Sequence, residues 1–172
     1  NFTRYESGAQ ELREVLNNKI NALESELKTS QSQLEAAKVA EQVAKKEVAL
    51  VEKERDEAIA LANRKDFKQY VGFTINKSAV KTEQMVVLQA VANYMAENPN
   101  VKMKVVGYAD KQTGSKYFNL KLSERRAKTV YNLLVKKFGV TENRLSYIGL
   151  GDQEQPFTQN VYNRLVMILG ER

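Results

Sequence analysis

The stretch GYADKQTGSKYFNLKLSERRAKTV, residues 107–130, sets one carboxylate, Asp110, ahead of a guanidinium pair, Arg125 and Arg126. Asp110 follows VKMKVVGY, in which Val101, Met103 and Val105 alternate as in a strand. It therefore stands just past a strand's C-terminal end, where ligands of α/β sheets collect. From Ser115 to Phe138, the residues Phe118, Leu122, Ala127, Val130, Leu134 and Phe138 recur at near-helical spacing, and Gly139 ends the run. The helix brings both arginines back beside the same sheet edge. Neighbours on a helix point about 100° apart, so only one of them faces inward. Arg126, four residues after Leu122 and four before Val130, lies on the apolar stripe. A guanidinium buried there without a partner would cost several kcal/mol, so it must be paired. Two arrangements satisfy that need. Asp110 and Arg126 can form an internal salt bridge that locks helix to strand. Alternatively, the two can clamp a zwitterion, the guanidinium taking a carboxylate in a fork and the aspartate an ammonium.

The composition excludes other chemistries. Among 172 residues there is no cysteine and no histidine, which removes thiolate nucleophiles, disulfides, Cys/His zinc sites and the commonest general base. No pair of carboxylates stands beside an activated nucleophile, so no catalysis is expected, and no cofactor motif is present. Gly149 and Gly151 flank a turn and offer backbone freedom rather than a phosphate loop. Tyr108, Tyr117 and Phe118 read as packing residues. There is no run of 18 apolar residues and no signal-like start. The chain opens on NFTRYESG without a methionine, as a processed protein or excised fragment would, so an export signal or membrane anchor is expected upstream.

Charge divides the chain. Residues 1–66 hold 11 Lys+Arg against 13 Asp+Glu, and residues 67–172 hold 16 against 8. A basic second half suits an anionic partner: nucleic acid, an acidic lipid surface or an anionic polymer. From about Ala9 to Lys65 there is neither proline nor glycine. Alternating steps of four and three from Leu16 through Ile20, Leu23 and Leu27 to Val48, Val51, Arg55 and Ala58 trace one seam, apolar at ten of thirteen positions. That is the coiled-coil signature, with flanking pairs such as Glu24/Lys28 and Lys53/Glu57 on the solvated side. Such a helix, on the order of 85 Å long, cannot bury its stripe alone, so a homo-oligomer, dimer or trimer, is expected through it.

After Lys65 the pattern changes. YVGFTINKSAV alternates Phe73 and Ile75, Thr82 is an expected N-cap, and Met85, Leu88, Val91, Ala92 and Met95 form a stripe ended by Asn98-Pro99. With VKMKVVGY, the Ser115–Phe138 helix, RLSYIGLG and RLVMILG, the order is β-α-β-α-β, a polar loop with room for a short helix, then β. The expected fold is an α/β (α+β) sandwich with helices packed on a mixed sheet. Two domains are expected, a stalk over 1–66 and a globular domain over 67–172.

Four motifs in order sharpen this: GYAD, then N..LSERRA..V at Asn119 to Val130, GLG....P at Gly149 to Pro156, and NRLV at Asn163 to Val166. Together they resemble the OmpA-like peptidoglycan-binding domain of outer-membrane protein A, peptidoglycan-associated lipoprotein and flagellar stator proteins, over about residues 70–170. The resemblance implies that Asp110 and Arg126 grip the free amine and carboxylate of diaminopimelate in the cell-wall stem peptide. It implies that Asn119 helps line the pocket and that Asn76 lies near the ligand. Arg164 reads on its own as a supporting or structural arginine rather than a direct ligand. The resemblance further implies peptidoglycan, not nucleic acid, as the partner, no cofactor, and a periplasmic location below an outer-membrane anchor. A structural assembly protein locked by Asp110–Arg126, and a basic nucleic-acid-binding module, are the competing readings.

Overall fold

A computed structural model describes residues 2–63 and 67–171, the side chains of Phe2 and Thr3 aside. Contacts divide the chain into two compact units, Asn1–Val51 and Glu52–Arg172. The boundary expected at 66/67, like the helix end expected at Lys65, falls at residues 64–66, outside the described residues.

The first unit is helical throughout its described residues. Helix α1 runs Phe2–Ala62, so it begins upstream of the expected Ala9 and passes through Gly8. Within this unit Leu16, Ile20, Leu23, Leu27, Leu34, Val48 and Val51 are each at least half exposed. Glu41 and Lys45 pair at 2.6 Å on the surface, a contact worth a few tenths of a kcal/mol. No helix among the described residues is long and apolar enough to cross a membrane.

The second unit holds the expected α/β fold. Strands β1 (Lys68–Gly72), β2 (Lys102–Gly107), β3 (Leu145–Gly149) and β4 (Leu165–Glu171) form one sheet in the order β1-β4-β2-β3. β4 lies antiparallel between β1 and β2, and β2 pairs with β3 in parallel. Helices α2 (Met85–Glu97) and α3 (Lys116–Lys136) cover one face, where Val71, Leu88, Val91, Met103, Val130 and Ile168 are buried together. The other face, with Val106, Tyr108, Leu165, Met167 and Leu169, is covered by Ala58 and Leu61 from the last turns of α1. Hence the inner strands β4 and β2 are buried on both sides, with α2 and α3 on one and the end of α1 on the other. The alternation read in VKMKVVGY marked only one of those faces. Ala58, the last position of the expected seam, is fully buried here and is therefore withdrawn from the coiled-coil stripe.

Local signals explain most boundaries. Ser115 caps α3, its hydroxyl accepting from the Phe118 amide at 3.1 Å. Gly139, at φ +72°, turns the chain after α3, and the Val140 amide returns to the Leu134 carbonyl at 2.9 Å. Arg144 donates to the carbonyls of Met95, Asn98 and Val101, which satisfies acceptors at the end of α2 and the approach to β2. Two expectations shift. Thr82 makes no side-chain cap but opens a 3-10 turn, Thr82–Gln84, that leads into α2. The first strand lies earlier than the Phe73/Ile75 alternation suggested, and Ile75 falls in an exposed turn.

Closest to the strand ends, sterics decide how deep α3 can sit. Gly107 and Gly149 are register partners at the ends of β2 and β3. A Cβ on Gly107 would collide with the Ser123 carbonyl oxygen, and one on Gly149 with the Glu124 backbone. Only hydrogen at both positions lets α3 reach the sheet. Gly107→Ala should therefore destabilise the domain by about 3 kcal/mol through overpacking against backbone. Gly72→Ala, whose Cβ would meet only Gln84 Nε2 at 3.8 Å, should change stability by less than about 0.5 kcal/mol. Thermal melts of the full chain followed by near-ultraviolet tyrosine dichroism would measure both; equal melting temperatures for the two variants would refute the close-approach account.

Candidate functional site

Asp110 lies in the loop between β2 and α3 and is buried. Its carboxylate accepts from three side chains of two segments. Thr113 Oγ1 lies 2.9 Å from both oxygens, Asn160 Nδ2 reaches Oδ1 at 2.9 Å, and Arg164 Nε reaches Oδ2 at 2.8 Å. Asn160 is itself oriented by the Lys111 amide, which donates to its Oδ1 at 3.2 Å. Burial pushes the carboxyl pKa up, but the hydrogen bonds from Arg164, Asn160 and Thr113 more than offset it, and the net shift is downward. Asp110 is therefore a prearranged, ionised carboxylate at neutral pH.

Arg126 is fully buried on the inward side of α3, whereas Arg125 is exposed. The glycine contacts at Ser123 and Glu124 set its depth. It does not bond Asp110: the direct pair considered from the sequence is not formed, because the guanidinium is taken up by carbonyls. Nε donates to Lys77 O at 2.9 Å, one terminal nitrogen to Tyr108 O at 2.9 Å and the other to Thr74 O at 3.2 Å. The Phe73 ring lies below it, 5.3 Å from centroid to guanidinium carbon. Burial draws its pKa down to about 10, the Asp110 charge acting in the opposite direction and Arg164 in the same one. It stays charged at neutral pH, and three bonds to its five N–H groups leave two donors over.

Asn76 is exposed at the head of the Thr74–Lys77 turn, closed by the Lys77 amide on Thr74 O at 3.0 Å. Its φ of +55° is one that asparagine tolerates better than most side chains. Two carbonyls of this turn are those that hold Arg126. Asn119 is buried in the first turn of α3, and its amide nitrogen donates to Asp152 Oδ2 at 2.9 Å and to the Asp110 carbonyl at 3.3 Å. It thereby ties the Asp110 loop to the turn after β3. The four sequence-chosen residues thus fall into two linked groups: Asn119 with Asp110, and Asn76's turn with Arg126. Tyr108 joins them, its carbonyl on Arg126 and Asp110 two residues on.

Arg164 is the ionic partner of Asp110 and, unlike Arg126, is partly open to solvent. Thr113 was legible in principle, since a hydroxyl three residues after an aspartate is a common local bond. Asn160 carried no signal, because nothing local relates it to Asp110. Tyr117, read as packing, is exposed, while Tyr108 is buried as expected.

Residues 72–164 match the OmpA family. Outer membrane protein 40 of Porphyromonas gingivalis is 41% identical over 98 residues, covering 57% of this chain and 25% of that protein. Outer membrane porin F of Pseudomonas aeruginosa is 34% identical over 90 residues, 52% of this chain and 25% of that protein. The chain thus spans about a quarter of the length of these curated relatives. The fold is shared with the crystal structure of the peptidoglycan-associated lipoprotein from Burkholderia pseudomallei, at a TM-score of 0.56 and 22% identity, over 60% of this chain and 90% of that one. With more than half of its residues inside the family match, the chain belongs to the OmpA family.

Proposed function

We propose that this chain is a non-catalytic peptidoglycan-binding module, the periplasmic part of an outer-membrane protein. The globular unit from Glu52 onward grips the diaminopimelate of the stem peptide, and the helical unit before it forms a coiled-coil stalk that joins two or three copies. One observation carries the reading: an ionised carboxylate and a guanidinium with spare donors flank the same strand end, and neither neutralises the other. Asp110 takes the ligand's ammonium, and Arg126 takes its carboxylate through the two N–H groups left over. Because Arg126 is covered, the exposed Thr74–Lys77 turn, headed by Asn76, must lift for the carboxylate to enter. Asn119 holds the Asp110 loop in register. The names of the two curated relatives reported above, an outer membrane protein and an outer membrane porin, support the location.

Single charge-assisted bonds net about 1.5–3 kcal/mol, so one site binds in roughly the micromolar to millimolar range. Copies joined on one stalk and acting on one polymer add avidity. The exposed apolar seam of the first unit supports that association.

A second reading is favoured by the burial of Arg126. Its three carbonyl bonds tie the β1–α2 turn, the end of β2 and α3, as a structural clamp would. Substitution separates the two. Asp110→Asn should lose about 1–3 kcal/mol of stability with its charge-assisted bonds, yet remain folded. Its co-sedimentation with diaminopimelate-type peptidoglycan should fall roughly tenfold or more. Arg126→Lys, which keeps the charge but not the fork, should behave likewise. Wild-type retention by both folded variants would leave only the clamp.

The pH dependence has a definite sign. Asp110 has a lower pKa in the fold than the ordinary 3.8, so its contribution to stability is complete well above that value. It is lost as pH falls below roughly 4. Wall binding should stay level from about pH 5 to 8 and fall only below the ordinary carboxylate value of 3.8, once Asp110 in the fold takes up a proton, a profile that pelleting assays across buffers would record. For the stalk, sedimentation equilibrium should return two or three times the monomer mass, and Leu23→Lys with Leu27→Lys should return the monomer with an unchanged domain melt. A wild-type monomer would remove the stalk from the proposal.

A further inference from the structure

Beside the ion pair lies an open cleft of about 460 Å³ whose walls include Tyr70, Phe157 and Tyr162. These rings do not belong to either buried cluster of the core. Tyr70 is 45% exposed, Phe157 37% and Tyr162 58%. They meet edge to face, Tyr70 to Phe157 at 5.9 Å and 61°, and Phe157 to Tyr162 at 6.3 Å and 77°. Edge contacts of this kind leave ring faces available to a further partner. Exposed aromatic groups set side by side on a small domain mark a binding surface more often than a packing fault.

The cleft is continuous with the site already described, because Arg164, the partner of Asp110, forms part of its wall. The rest of its lining is mixed, with Thr74, Lys81 and Gln84 beside Phe73, Val161 and Leu165. An occupant must therefore present an apolar face to aromatic rings and hydrogen-bonding groups at its edge. It must also connect, within one molecule, to a group held at Asp110. A fatty chain would leave Lys81 and Gln84 without partners, and an extended acidic peptide has no flat apolar face. A pyranose ring meets both demands, with its axial C–H face on the rings and its hydroxyls toward Gln84 and Lys81.

We infer that the Tyr70–Phe157–Tyr162 cleft is a saccharide subsite, which takes a sugar ring of the same polymer whose stem peptide is held at Asp110. The inference rests on the wall-binding reading and extends it from the peptide to the glycan. The stem peptide and the glycan are covalently joined, so a sugar at this cleft and a diamino acid at Asp110 would bind as one ligand. Aromatic contact adds affinity without adding charge, so this part of the binding resists salt, unlike a lysine-driven hold on a polyanion.

Two soluble ligands test this on the full chain by calorimetric titration: a disaccharide–tetrapeptide, and the same tetrapeptide freed of its sugars. Wild type should bind the disaccharide form roughly fivefold to tenfold more tightly. Tyr162→Ala, at the most exposed ring, should bring the disaccharide form down to the affinity of the bare peptide and leave that of the peptide unchanged. Phe157→Ser should do the same if its melting temperature is kept. Equal wild-type affinity for both ligands overturns the saccharide subsite and leaves the peptide site standing, as does a Tyr162→Ala loss shared equally by the two ligands. Binding of neither ligand overturns the wall-binding reading and the subsite with it.

Discussion

A guanidinium with no carboxylate bonded to it organises the end of this domain where β2 passes into the Asp110 loop. Arg126 answers three backbone carbonyls, two from the turn after β1 and one from the end of β2. Bonds to a charged donor are worth about 1.5–3 kcal/mol each, so three together are of the same size as the desolvation they oppose. The arrangement holds only while α3 lies close enough to reach those carbonyls. That closeness depends in turn on two glycines facing the Ser123–Glu124 backbone. Tyr108 carries the constraint onward, its amide bonding the Leu165 carbonyl and so fixing β4 against the same point.

Asp110 is built on a different plan. Its partners are side chains, and two of them come from the segment between β3 and β4. The carboxylate is therefore held from the far side of the sheet edge, while the guanidinium is held by main chain. Each charge is stabilised by its own set of dipoles or donors, which lets opposite charges stand near each other without collapsing into one pair. The two charges are thereby fixed in different ways, Asp110 by side chains and Arg126 by carbonyls, two of which belong to the Thr74–Lys77 turn.

How far the sequence foretold this varies with the range of the interaction. Ser115 and Gly139 bound α3 because caps act over three or four residues, and the Leu122–Arg126–Val130 spacing put the right arginine inward. The order of strands and helices was readable from the same local periods. What failed to read through were relations across long stretches of chain. Arg164 and Asn160 meet Asp110 from 50 or more residues away, and nothing in their neighbourhoods announces it. The Asp110–Arg126 pair was a reasonable inference from proximity alone, but carbonyl acceptors, which every residue carries, are invisible in a side-chain pattern. The early part of the domain misled for a related reason: Phe73 and Ile75 alternate like a strand, yet the φ of +55° at Asn76 turns the chain there.

The last turns of α1 carry a consequence for how such a domain can be moved between proteins. Ala58 and Leu61 sit on the apolar face formed by Val106, Tyr108, Leu165, Met167 and Leu169. A graft that began at residue 67 would leave that face bare, and a bare apolar sheet face invites association with other molecules. The portable module is thus the unit that begins at Glu52, and its leading segment travels with it as a lid over the sheet. Cut at Glu52, the domain keeps those residues and with them a covered sheet face.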